Sequence, residues 1–83
     1  MYKVVFTQRA LKDLENIDRG GVQNRIATKL KEYAKDPIKY SRKLTHSKIG
    51  GYRFRIGDYR VVFDIDDNNV VILKIGHRKS IYK

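Results

Sequence analysis

The sequence predicts an α+β domain in the order strand, helix, helix, strand, strand, strand, with a helical hairpin packed on one face of a small, mostly antiparallel sheet. Three observations carry that prediction. Two stretches between Gln8 and Lys35 repeat apolar residues at helical spacing, Gly20 and Gly21 separate them, and the last third alternates apolar with charged residues at strand spacing. With 83 residues the chain is one domain, 1–83, and holds one core of about two layers. An apolar fraction of 41%, with six tyrosines and three phenylalanines, is enough to fold that core and argues against disorder.

Residues Tyr2 to Phe6 alternate aromatic or β-branched types around Lys3 and read as the first strand. Thr7 suits a helix N-cap. From Gln8 to Ile17, Ala10, Leu11, Leu14 and Ile17 form an apolar stripe that the glycine pair ends. A second helix runs from Val22 to about Lys35 on Val22, Ile26, Ala27, Leu30, Tyr33 and Ala34, and Asp36-Pro37 stops it. The polar, basic stretch from Ile38 to Gly51 reads as a long functional loop, with Leu44 as its pin. Tyr52, Phe54 and Ile56 then alternate with Arg53 and Arg55. Gly57-Asp58 makes a tight turn, and Tyr59, Val61, Phe63 and Ile65 face the core of the next strand. After the turn at Asp67, Asn68 and Asn69, the nearly continuous apolar run Val70 to Ile75 predicts a central strand.

Charge narrows the function. Nineteen Lys and Arg against nine Asp and Glu give a net +10, which points to a polyanionic partner. Between Ile38 and Arg60 there are seven basic residues, Lys39, Arg42, Lys43, Lys48, Arg53, Arg55 and Arg60, against the single acid Asp58. The chain has no cysteine, which removes disulfides, thiol nucleophiles and Cys-based metal sites. It also has no P-loop, no HExxH and no serine-triad order, so those reaction classes are set aside. Asp64, Asp66 and Asp67 read as turn formers and a salt-bridge partner for Lys74 rather than a metal site; we expect no metal and no cofactor. No apolar run approaches a membrane span, and the opening residues lack a signal peptide's apolar stretch, so the expectation is a cytoplasmic protein without membrane contact.

Register converts the list into geometry. A two-residue turn at Gly57-Asp58 sets Ile56 against Tyr59 and Arg55 against Arg60 on one sheet face. Like charges so placed destabilise the sheet unless an anion lies near them. A three-residue loop at Asn68, Asn69 and Val70 sets Leu73 against Ile65 and Lys74 against Asp64, and its continuation brings Arg78 towards Arg60. Arg53, Arg55, Arg60 and Arg78 are thus expected to converge away from the helices, with His77, Lys79 and Tyr82 nearby. Guanidinium forks bind phosphate bidentately and stabilise the added charge of a phosphoryl transition state. His77 is the stronger and His46 the weaker candidate for acid-base work.

The opening strand with Gln8-Arg9-Ala10-Leu11-Lys12-Asp13-Leu14, the Asp36-Pro37 helix end with Lys43-Leu44 after it, the run from Gly51 to Asp67, and Ile75 to Tyr82 together resemble the RelE/ParE superfamily of toxins, most closely its RelE-like mRNA interferase branch. The resemblance implies a RelE-like fold and a metal-independent endoribonuclease that cuts mRNA in the ribosomal decoding site by 2′-OH attack. It implies catalytic positions at Arg53, Arg55, Arg60, Arg78 and Tyr82, with His77 as a candidate base. The basic residues Lys39, Arg42, Lys43, Lys48, Lys74 and Lys79 are expected to contact RNA or ribosome. It further implies an acidic cognate antitoxin, joined in a higher oligomer. Two other readings fit the same fold: a non-enzymatic gyrase inhibitor like the ParE branch, and an inactive RNA- or ribosome-binding module.

Overall fold

The computed structural model describes residues 2–17, 20–45, 48 and 50–81. The elements run β1 (Lys3–Phe6), α1 (Gln8–Glu15), α2 (Val22–Tyr33), α3 (Pro37–Tyr40), β2 (Ser41–Lys43), β3 (Tyr52–Ile56), β4 (Tyr59–Asp66) and β5 (Asn69–His77). The five strands form one sheet in the order β1-β5-β4-β3-β2. β1 lies parallel to β5 and the other pairings are antiparallel. The mixed, mostly antiparallel α+β sheet is the expected class, and it carries one strand more than expected.

That strand comes from the stretch read as a loop. Asp36, before the proline, has φ −149° and ψ 74°, so α2 cannot continue; Pro37 then opens the one-turn α3 instead of merely ending a helix. Ser41, Arg42 and Lys43 pair with Phe54, Arg53 and Tyr52, and Leu44 N–H adds a 2.8 Å bond to Gly51 O. A three-residue strand carrying two charges suits a sheet edge, where short length and charge resist further pairing.

Thr7 caps α1 as expected: its Oγ1 accepts from Ala10 N–H at 3.1 Å and donates to Ile72 O at 2.9 Å. Past Ile72, β1 has ended, and the freed edge of β5 is met by α1 instead. Asp13 accepts the Ile75 N–H at 3.0 Å and is itself held by Arg9 at 3.2 Å. Ala10 and Ile17 are buried beneath this helix, whereas Leu11, read as part of the apolar stripe, is 46% exposed.

The core lies between the helices and the sheet: Ile26 and Leu30 from α2, with Ala34 at its C-cap, meet Phe54, Ile56, Val61, Phe63, Val70, Ile72 and Ile75. Through it runs a ladder of rings. Tyr40 stacks on Tyr33 at 4.9 Å, Tyr33 leans on Phe54 at 5.3 Å, Phe54 stacks on Phe63 at 4.2 Å, and Phe63 on Tyr52 at 5.5 Å.

The opposite face is also covered in part. Val62 is fully buried under the loop at Gly50, and the turn after β5 folds back so that Ile81, 1% exposed, rests on Gly76. A Cβ at Gly76 would lie 2.9 Å from Ile81 Cδ1, so the bare glycine leaves room for that methyl in its present rotamer. Ile81→Ala should remove about 2–5 kcal/mol of stability, measured by urea unfolding, and should raise proteolysis beyond His77; wild-type stability with an uncut tail would contradict this packing.

Candidate nucleic-acid interface

Strand alternation sends Phe54 and Ile56 into the core and Arg53 and Arg55 out of the other face, and pairing extends this across the sheet. Arg42 stands opposite Arg53, which stands opposite Val62, which stands opposite Lys74. The next row sets Arg55 against Arg60 and Arg60 against Gly76. Two like-charge oppositions therefore share one face, where the sequence pointed to one. Arg42, Arg53 and Arg55 line an open concavity of about 320 Å³ with Lys39, Tyr40 and Ser41.

The Gly57-Asp58 turn has the predicted register, with Ile56 against Tyr59. Gly57 has φ 59°, the left-handed value a type II′ hairpin needs at its first turn residue. The carbonyls of this turn gather arginines. Arg60 Nη1 donates to Gly57 O and to Tyr59 O, each at 3.0 Å, and Arg78 N–H donates to Asp58 O at 2.7 Å. The Arg78 Nε lies 3.7 Å from Asp58 Oδ1, an exposed pair that costs little to exchange for another anion. On the helix side, the Arg25 guanidinium comes within ordinary contact distance, 3.4 Å, of where a Gly57 Cβ would lie. Arg60 itself is only 8% exposed, so it belongs to the wall of the site more than to its open surface.

The second hairpin departs from expectation. Its loop is two residues, Asp67-Asn68, not three, because Asp67 adopts φ 54°, which Asp tolerates; Asp66 then pairs with Asn69. A bulge between Val62 and Phe63 of β4 leaves Leu73 as the extra residue of β5 and shifts the register. Lys74 therefore faces Val62, not Asp64, and Asp64 instead accepts the Gly51 N–H at 2.6 Å. Gly76, not Arg78, stands opposite Arg60, and Arg78 reaches the site through the turn.

His77 pairs with Tyr59 and lies edge-on to that ring at 5.7 Å, in a recess with Val22, Arg25, Ile26 and Ile56. That recess is on the helix side, so His77 does not join the arginines. Its Nδ1 accepts the Lys79 N–H at 3.2 Å. Lys43 also falls in a helix-side row, opposite Tyr52. Lys48 and Lys79 are exposed on the connecting segments, while His46 and Tyr82 lie outside the described residues. Sequence reasoning missed Tyr40, because a segment read as loop gives its ring no fixed place.

A sequence profile described as the ParE toxin of the type II toxin-antitoxin system matches residues 4–82. The chain belongs to the RelE/ParE superfamily of toxins. Toxin RelE3 of Methanocaldococcus jannaschii is 32% identical to this RelE-like toxin over 96% of its chain and 94% of the relative. The toxin-antitoxin complex RelBE2 from Mycobacterium tuberculosis contains a chain 32% identical, with TM-score 0.70, covering 93% of this toxin and 98% of that chain. The archaeal RelE-RelB complex of Pyrococcus horikoshii contains one 26% identical, with TM-score 0.74, covering 95% and 97%. A RelE-like type II toxin is thus what the fold and the sequence both support. Among the described residues, no helix of this toxin is long and apolar enough to cross a membrane.

The two arginines of the central row should respond differently to truncation. Arg60→Ala leaves two turn carbonyls without their charged donor and should cost about 1–3 kcal/mol. Arg55→Ala removes a like-charge opposition and should leave stability unchanged within about 0.5 kcal/mol or raise it. Urea unfolding of both variants measures this, and equal losses would contradict the division between wall and surface.

Proposed function

We propose that this toxin is a ribosome-dependent mRNA endonuclease that inhibits translation, cutting without metal in the decoding site. The carrying observation is the single sheet face on which Arg42, Arg53, Arg55 and Arg60 stand in adjacent cross-strand rows, with Lys39 at the rim and Arg78 at the turn. A surface shaped only for solvation would alternate signs; one that opposes like charges twice is stabilised when an anion enters. A strand of phosphates supplies such anions at regular spacing.

The reaction follows from RNA's own chemistry. The ribose 2′-hydroxyl gives up its proton to solvent as its oxygen attacks the adjacent phosphorus, the bond to the 5′-oxygen breaks and that oxygen takes up a proton, and a 2′,3′-cyclic phosphate and a 5′-hydroxyl remain; DNA lacks the nucleophile. Arg53 and Arg55 would hold the scissile phosphate and neutralise its added charge, since guanidinium stays protonated and binds oxygens in pairs. Arg60, buried and fixed by turn carbonyls, would add a positive charge that needs no reorganisation when the transition state forms. Tyr82 lies outside the described residues, and the family resemblance makes it a further catalytic candidate. His77 sits on the helix side and takes no proton-transfer step at this face, so catalysis rests on charge and alignment. The partners that fit are ribosome, mRNA and an acidic antitoxin whose charge answers the +10 of the chain, all in the cytoplasm.

The test is cleavage of a defined mRNA in a translating extract, with 5′ ends mapped, against the same mRNA free of ribosomes. Cuts within codons that need ribosomes are expected. Arg55→Ala should slow them by about 10²–10³, while His77→Ala should stay within about tenfold of wild type, below the range for loss of a general base. Intact mRNA with gyrase-dependent DNA breaks would overturn the proposal in favour of a ParE-like inhibitor.

A further inference from the structure

We propose that Tyr40 is a base-stacking platform for the single-stranded RNA that the arginine face holds; the inference rests on the proposed function and adds to it a residue that grips the base rather than the phosphate. Tyr40 ends α3 and is 42% exposed, so nearly half of its surface is available. It lines the same concavity as Lys39, Arg42, Arg53 and Arg55. A nucleotide entering there meets cations and an aromatic ring together, the combination by which non-specific single-strand sites work.

The ring is held from below. Tyr33 stacks against it with centroids 4.9 Å apart and planes 19° apart, and Tyr33 leans on Phe54, a fully buried residue of the core. An aromatic ring backed by the core loses little freedom when a base settles on it, so the stacking energy is not consumed in ordering the platform. Lys39 Nζ lies over the Tyr40 ring, 5.5 Å from its centroid, so a base that stacks there displaces this ammonium from the ring and leaves it beside the flanking phosphate. The concavity of about 320 Å³ sits at the small end of the ~300–1,000 Å³ range of ligand sites, fitting one nucleotide of a passing strand rather than a folded ligand. A tyrosine serving only as a lid on Tyr33 would not need to stand inside the cation-lined hollow.

The experiment is binding of a fluorescently labelled ten-nucleotide RNA to the full chain at low salt, by anisotropy, repeated with RNAs that carry one abasic sugar at each position in turn. Tyr40→Ala should weaken the intact RNA about tenfold, within the roughly 5–150-fold expected for one stacked base. Tyr40→Phe should stay within about twofold, because the π-face is kept. At least one abasic position should weaken wild type but not Tyr40→Ala, since both changes remove the same contact. The chain has no tryptophan, so Tyr40→Trp supplies a single tryptophan, excited apart from the tyrosines, whose emission should be quenched by saturating RNA. Unquenched emission, or wild-type affinity in Tyr40→Ala while Arg55→Ala loses binding, overturns the platform and leaves the arginine face standing. Wild-type affinity in both Arg53→Ala and Arg55→Ala overturns the face and the platform with it.

Discussion

The two-residue turn at Gly57-Asp58 is the constraint on which the site depends. It locks β3 to β4 with Ile56 against Tyr59 and Arg55 against Arg60, and because side chains alternate, a slip of one residue would send Phe54 and Ile56 to solvent and the arginines into the core. The aromatic ladder from Tyr40 to Tyr52 makes that slip prohibitive, since Phe54 and Phe63 are its two fully buried rungs. Core packing thus holds the arginine rows in a register that their own repulsion opposes.

The same turn reconciles a buried charge with a stable fold. Arg60 is nearly enclosed, yet its Nη1 reaches two carbonyls, and the neighbouring carbonyl of Asp58 is taken by the Arg78 backbone. The tail that supplies Arg78 then seats Ile81 on Gly76, directly beside Arg60 in the strand register. A charge fixed in this way contributes its field without reordering, which is what electrostatic stabilisation of a transition state needs. Structure and proposed chemistry meet at one hairpin end.

Much of this was legible in the sequence. The helical hairpin, three of the strands after it and the Arg55/Arg60 opposition follow from periodicity and from Gly57, because each is a local property of the chain. What escaped was set by tertiary contact. Ser41 to Lys43 pair as β2 only because β3 offers an open edge, and no alternation in three residues announces that. The β4–β5 register turned on Asp67 accepting a positive φ and on a bulge at Leu73, neither of which a pattern of apolar residues encodes. His77 was expected among the arginines from its place in the chain beside Arg78; one residue of strand alternation puts it on the other face. Leu11 matched the helical stripe, yet α1 turns Ala10 inward and leaves Leu11 exposed.

RNA is proposed to lie on the face of the sheet turned away from the helices. The most direct measurement is an NMR titration of ¹⁵N-labelled protein with a short single-stranded RNA, following backbone and arginine side-chain signals. Shifts are expected at Arg42, Arg53, Arg55 and Lys74, with α1 silent from Gln8 to Glu15. Shifts concentrated on α1, or in the recess of Val22, Arg25 and His77, would contradict it.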